Sequence, residues 1–262
     1  MTELLELVKV VVGQDRWKCP FEHYPVTHTK VNTVPPPASE NNAKTLSSNL
    51  DTESKHVANV RIRFQSGGKS YSEDVKFTAH HLVPGNEAWP SSQLYKWIDK
   101  DGNHICADIG YDVNAATNGV DLPGHSAASG WSGESFQTRY AFNAMVCDTK
   151  KRQFHDRHAA YSDFVVNVLN KIASKLQVRE PDLDCGKKGC LGATKVKGKY
   201  APPYGLISRI DGVALRLERK LTGDSRRWKK PVMTSRFANM FCNRGLSQDD
   251  ARAQLETDQF VY

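Results

Sequence analysis

The run Val75-Lys76-Phe77-Thr78-Ala79 reads as a strand and ends in two adjacent histidines, His80 and His81, before Leu82-Val83-Pro84. Successive strand side chains point to opposite faces. The pleat relaxes at a strand end, so neighbouring imidazoles there can serve one site in two roles. The chemistry that suits such a pair is a metal ligand beside a general base, since neutral imidazole binds divalent metals and takes up protons near neutral pH. The plain alternative is two ordinary surface or half-buried histidines, and residues further along the chain must decide.

Downstream, Gly110-Tyr111-Asp112-Val113-Asn114-Ala115-Ala116-Thr117-Asn118-Gly119-Val120-Asp121-Leu122-Pro123 predicts a turn feeding a short second strand. Asn118-Gly119 is the turn signal, because both residues tolerate positive φ. From His155 onward, His158, Tyr161, Val165, Val168, Ile172 and Leu176 recur at helical intervals, which places His155 and His158 on the buried stripe of one helix. Imidazoles on an apolar face need partners, because an unpaired buried polar group costs roughly 1–3 kcal/mol. A shared metal would satisfy both.

In this order of strand, His-His, Asn-Gly strand and His-bearing helix, the chain resembles the AHH family of HNH and endonuclease VII-like nucleases, whose fold is a ββα-metal (His-Me) finger. The resemblance is carried by Ala79-His80-His81-Leu82-Val83-Pro84, by Asn118-Gly119-Val120-Asp121-Leu122-Pro123 and by His158-Ala159-Ala160-Tyr161, and covers roughly residues 70–177. The family's helix usually opens with two histidines four apart. Here His155 and His158 are three apart, so His158 matches and His155 is displaced by one position. The resemblance implies an α+β fold: a ββα-metal finger core with additional helices and short strands, followed by a basic C-terminal extension. It further implies that His81 is the general base activating water, that His80 and His158 bind a divalent metal with His155 completing the shell, and that Asn118 positions the base or its loop. Phosphodiester hydrolysis needs a nucleophile deprotonated near neutral pH, which an imidazole of pKa about 6.5 can provide. It also needs a cation to offset charge on the scissile phosphate. The divalent ion expected is Mg, Mn, Zn or Ni; a histidine-rich shell favours the softer of these, or Co, over oxygen-seeking Mg.

The 262-residue chain carries a net charge of +7, and 39% of its residues are hydrophobic. Its mean hydropathy of −0.56 and pI near 9.0 describe a soluble basic protein. Between Cys185 and Arg244 stand about 15 Lys and Arg against about three Asp and Glu, which concentrates the excess where a nucleic-acid footprint could lie. Lys187, Lys188, Lys195, Lys197, Lys199, Arg226, Arg227, Lys229 and Lys230 interleave there with Tyr200, Tyr204 and Trp228, so phosphates would meet the charges and unpaired bases the rings. A solvated basic surface, or one that meets an acidic protein, is the plain alternative. The apolar stretch from Leu4 to Val12 is broken by Glu6 and Lys9, falls far short of the ~20 residues of a membrane span, and lacks the features of a signal peptide.

The six cysteines, Cys19, Cys106, Cys147, Cys185, Cys190 and Cys242, form no zinc-ribbon spacing. Cys185 and Cys190 suit a small knuckle, a disulfide-closed turn or two unrelated thiols; Cys19 and His23, with His28, offer soft ligands for a second zinc. His104 and His125 read as structural or substrate-side histidines, with His125 a substitute ligand should His155 fail. Three segments are expected: a partly extended leader or linker at 1–55 with the proline run Val34–Asn42, a nuclease module at 56–177, and a basic region at 178–262 in contact with nucleic acid. Within them, strands are expected at Val57–Phe64 and Tyr71–Phe77 around a Gly67-Gly68 turn, together with a helix at Ser91–Ile98 anchored by Trp89 and Trp97. A strand at Gly212–Leu217 and a helix at Ser247–Thr257 complete the expectation.

The function expected is a metal-dependent nuclease cleaving DNA with low sequence specificity, since no groove-reading helix is recognisable. The family's frequent use as antibacterial toxins implies an effector without a signal peptide, cytoplasmic in the producer and acting in the target-cell cytoplasm. It would travel on a type VI or contact-dependent secretion carrier and be neutralised by an acidic immunity protein. The alternatives are an RNase of the same fold and a non-enzymatic nucleic-acid-binding protein with a structural zinc.

Overall fold

A computed structural model describes residues 41–58, 60–66, 69–75, 77–98, 104–105, 109–123, 152–153, 155, 159–178, 199–200, 203, 205–223, 228 and 231–234. Strand β1 (Val60–Ser66) pairs antiparallel with β2 (Lys69–Val75) from Val60↔Val75 to Ser66↔Lys69, so two residues connect them where Gly67-Gly68 predicts a hairpin. Strand β3 (Phe77–His81) pairs antiparallel with β4 (Gly119–Pro123), from Phe77↔Pro123 to His81↔Gly119. A single residue, Lys76, separates β2 from β3, yet the two belong to different sheets. The strand-like run from Tyr71 to the histidines is therefore two strands with different partners.

Helix α1 (Ala43–Thr52) lies in the stretch that composition marks as leader. Leu46 and Leu50, four apart and so on one face, are both fully buried, and the helix packs on β3 and β4. The approach is closest at Gly119, where a Cβ would stand 2.6 Å from Leu46 Cδ1 and 3.1 Å from Leu50 Cδ2. This corrects the reason for the Asn-Gly pair. Among the described residues positive φ occurs at Ser54, Gly110 and Gly205, not at Asn118 or Gly119, so the glycine is required by close packing rather than by backbone conformation.

The described residues group into two units, one holding those among 41–42, 83–118 and 162–215, the other those among 43–82, 119–161 and 216–234. In the first, α2 (Ala88–Ser91) ends where the helix expected at Ser91–Ile98 would begin, and only a 3-10 turn at Tyr95–Trp97 lies within that span. Ser92 ends α2 by turning extended, its N–H and hydroxyl both bonding the carbonyl of Trp89. Trp89 and Trp97 are fully buried as anchors, Trp89 edge-on to Tyr111 and Trp97 against His104 and Tyr200. Helix α3 (Ala159–Val178) buries Tyr161, Val165, Val168, Ile172 and Leu176, the stripe its periodicity predicts.

The strand expected at Gly212–Leu217 is instead part of helix α4 (Leu206–Leu221). Leu206, Ile210, Val213, Ala214, Leu217 and Leu221 are buried at helical intervals, and that longer 3.6-residue period outweighs the short apolar run. The expected helix at Ser247–Thr257 and the proline run up to Ser39 lie outside the described residues. The architecture is α+β.

Gly119→Ala must displace Leu46 or α1 itself, so we expect a loss of about 1–3 kcal/mol of unfolding free energy from overpacking. A shifted urea midpoint at constant slope measures it.

Candidate active site

The β3–β4 register sets the site. His80 faces Val120 across the ladder and His81 faces Gly119, so alternation sends the two imidazoles to opposite sides of the strand pair. Both are buried, at 4% and 7% exposure. On its side His80 packs against His155, ring centroids 4.6 Å apart and tilted by 58°, and against Tyr161 at 5.4 Å. His81 shares the side of Gly119.

His155 is not on the helix. Its N–H donates to the carbonyl of Pro123 at 2.8 Å, which carries it as a continuation beside the end of β4, whereas α3 begins at Ala159. The expectation that His155 and His158 share one helical stripe is thereby corrected: His155 is bridged beside the strand end, four residues before the first residue of the helix. Contact with His80 comes from this strand-side placement. His158 lies outside the described residues, as do His125 and all six cysteines.

Tyr161 was legible only as a core position of α3. Its hydroxyl donates to the carbonyl of Leu82 at 2.6 Å, fixing the backbone immediately after His81, while its ring lies against His80. Full burial holds its phenol well above the usual tyrosine pKa, so the hydroxyl remains a donor at any physiological pH.

Asn118 ends a 3-10 turn (Ala116–Asn118) and is fully buried. Its Oδ1 accepts the N–H of Val83 at 2.8 Å, and its Nδ2 donates to the carbonyls of Val83 at 3.1 Å and Val113 at 2.8 Å. With both amide protons and one acceptor site given to backbone, this side chain organises loops; Val83 follows His81 by two residues in the chain. Of the nine basic positions, Lys199 is described and half-buried, next to Tyr200, whose N–H donates to His104; the other eight lie outside the described residues.

Among the described residues no three His, Cys, Asp or Glu side chains gather into a metal shell. His80 and His155 do form a pair of adjacent imidazoles, the donor type that suits Zn, Ni or Co, and so fit as part of such a shell.

Residues 63–184 match the model of AHH, a nuclease family of the HNH/ENDO VII superfamily with conserved AHH. Those residues carry the AHH signature. The tripeptide Ala79-His80-His81, β4, His155 and α3 fall inside the AHH stretch, while α1 and α4 fall outside it. No curated protein and no solved structure matches the chain.

Burial also raises the phenol of Tyr111, with the Asp211 and Asp112 carboxylates adding to the shift. In the unfolded chain both phenols ionise near pH 10, so the stability they confer is complete below that and is lost as pH rises beyond it. We expect unfolding free energy to fall above about pH 10, and to fall less steeply in Tyr161→Phe, as read by denaturant titrations across pH.

Proposed function

We propose that the protein is a divalent-metal-dependent endonuclease that hydrolyses phosphodiester bonds of DNA with little sequence selectivity. The observation that carries this reading is the packing of His80, the chain neighbour of His81, against His155 at a strand end inside a stretch that matches a nuclease family. His81 takes the proton of the attacking water; the water oxygen then bonds to phosphorus and the ester bond to the leaving oxygen breaks. His80 and His155, joined by His158, would hold the cation. When bound, it supplies positive charge to the scissile phosphate and the leaving oxygen. Tyr161 and Asn118 hold the backbone on the C-terminal side of the histidine pair through Leu82 and Val83.

The module at 56–177 does the chemistry and the basic region at 178–262 tracks the phosphate backbone through Lys187, Lys188, Lys195, Lys197, Lys199, Arg226, Arg227, Lys229 and Lys230. Among the described residues no helix is long and apolar enough to cross a membrane. The biological role we propose is an antibacterial effector carried by a secretion system, acting in the cytoplasm of the target cell and neutralised by an acidic immunity protein. A concentrated basic surface supports that last step, since opposite charge accelerates association.

His81→Ala is expected to lose about a hundredfold or more in plasmid cleavage while keeping its metal content and melting temperature. His80→Ala is expected to lose metal and cleavage together. Wild-type cleavage by a well-folded His81→Ala protein would remove His81 from the mechanism. Metal-stabilised folding without any cleavage by the wild type would favour a structural zinc. Parallel digestion of plasmid and total RNA separates DNase from RNase.

A further inference from the structure

Asp121 stands in β4 opposite Ala79, and its side chain is fully buried. Its Oδ2 accepts the backbone N–H of Val57 at 2.7 Å and lies 2.7 Å from Nδ1 of the half-exposed His56. Its main-chain carbonyl accepts Nη1 of Arg152 at 2.8 Å, while Oδ1 is buried and has no hydrogen-bond partner among the described residues. A buried carboxylate with one oxygen unsatisfied is a poor choice for stability alone, where an apolar side chain would serve better. What it holds gives it a use.

Residues 56 and 57 belong to the chain leaving α1, whose end is closed by the N–H of Lys55 on the carbonyl of Leu50. The same helix presses Leu46 and Leu50 onto Gly119, the ladder partner of His81. Gly119 and Asp121 are two apart in β4 and so share one side of the ladder. One receives the helix and the other ties down the chain that follows it. The brace spans the side that carries His81, and its other half, Leu46, Leu50, His56 and Val57, precedes the matched stretch at 63–184.

We infer that Asp121 is a positioning residue for His81: by clasping His56 and Val57 it locks α1 across the β3–β4 ladder and fixes the strand end from which the imidazole projects. The working unit therefore begins at or before Ala43. The catalytic consequence rests on the nuclease reading above, whereas the mechanical one does not.

The test uses the full chain, comparing Asp121→Ala with Asp121→Asn, which keeps an acceptor for the Val57 N–H. Well below its melting temperature, Asp121→Ala should lose about ten- to a hundredfold in kcat with KM within about twofold, and Asp121→Asn should recover most of it. Amide hydrogen exchange over residues 77–83 should quicken in Asp121→Ala relative to the Leu206–Leu221 helix. A lowered melting temperature with unchanged kcat and unchanged exchange over 77–83 would make the carboxylate merely structural and overturn the inference. If Asp121→Ala does not fold, His56→Ala removes the half-exposed arm alone and is read by the same two measures. If the wild type cleaves no nucleic acid, the nuclease reading fails by itself. Exchange then decides the brace: faster exchange over 77–83 supports it, and an unchanged rate overturns it.

Discussion

Five residue pairs between β3 and β4 carry the rest of the arrangement. They fix which side of the ladder each histidine faces, and everything else described at the site is attached to their ends. His155 is hung from the carbonyl of Pro123 at one end; Gly119 meets α1 at the other. A short two-stranded sheet has little stability by itself. Here both of its sides are covered, by α1 and by the Tyr161–His155 contacts, and β4 is buried throughout.

The backbone beyond His81 is held by side chains rather than by a third strand. Tyr161 takes the carbonyl of Leu82, and Asn118 takes both the N–H and the carbonyl of Val83, the two bonds a neighbouring strand would otherwise make. Side-chain clamps of this kind end a ladder without leaving buried backbone groups unsatisfied. They also let the chain turn away at once into Pro84-Gly85.

The legible parts of this fold were those written in local pattern. The His-His strand end, the Asn-Gly strand, the hairpin around Gly67-Gly68 and the stripe of α3 each have a period or a turn signal of their own. What could not be read depended on partners far away in sequence. Gly119 looked like a turn glycine because nothing local shows Leu46 and Leu50, some 70 residues earlier, pressing on it. His155 looked helical because three-residue spacing to His158 fits a helix, while the Pro123 carbonyl that captures its N–H lies over 30 residues upstream. Gly212–Leu217 looked like a strand in a six-residue window, and only the full span from Leu206 to Leu221 shows the helical period. Asp121 stands in a stretch that carries the resemblance, yet its role had no local signal: an acidic residue in a strand is usually solvated, and its burial against His56 and Val57 is a tertiary fact.

Two adjacent histidines with different partners make register a chemical variable. Slipping β3 by one residue against β4 would exchange the two sides, turning His80 toward α1 and His81 toward His155. Backbone hydrogen bonding alone would tolerate the slip, because each shifted pair can bond nearly as well. Side chains of β4 fix instead where α1 lies. Only Gly119 can sit beneath Leu46 without a clash, so the ladder position that α1 covers is set by the one residue in β4 lacking a Cβ. Asp121 reinforces the same choice from two residues away, because its carboxylate meets Val57 and His56 on that side only. Gly119 and Asp121 thus fix how α1 lies across β4, and alternation along the paired β3 gives the two imidazoles opposite sides.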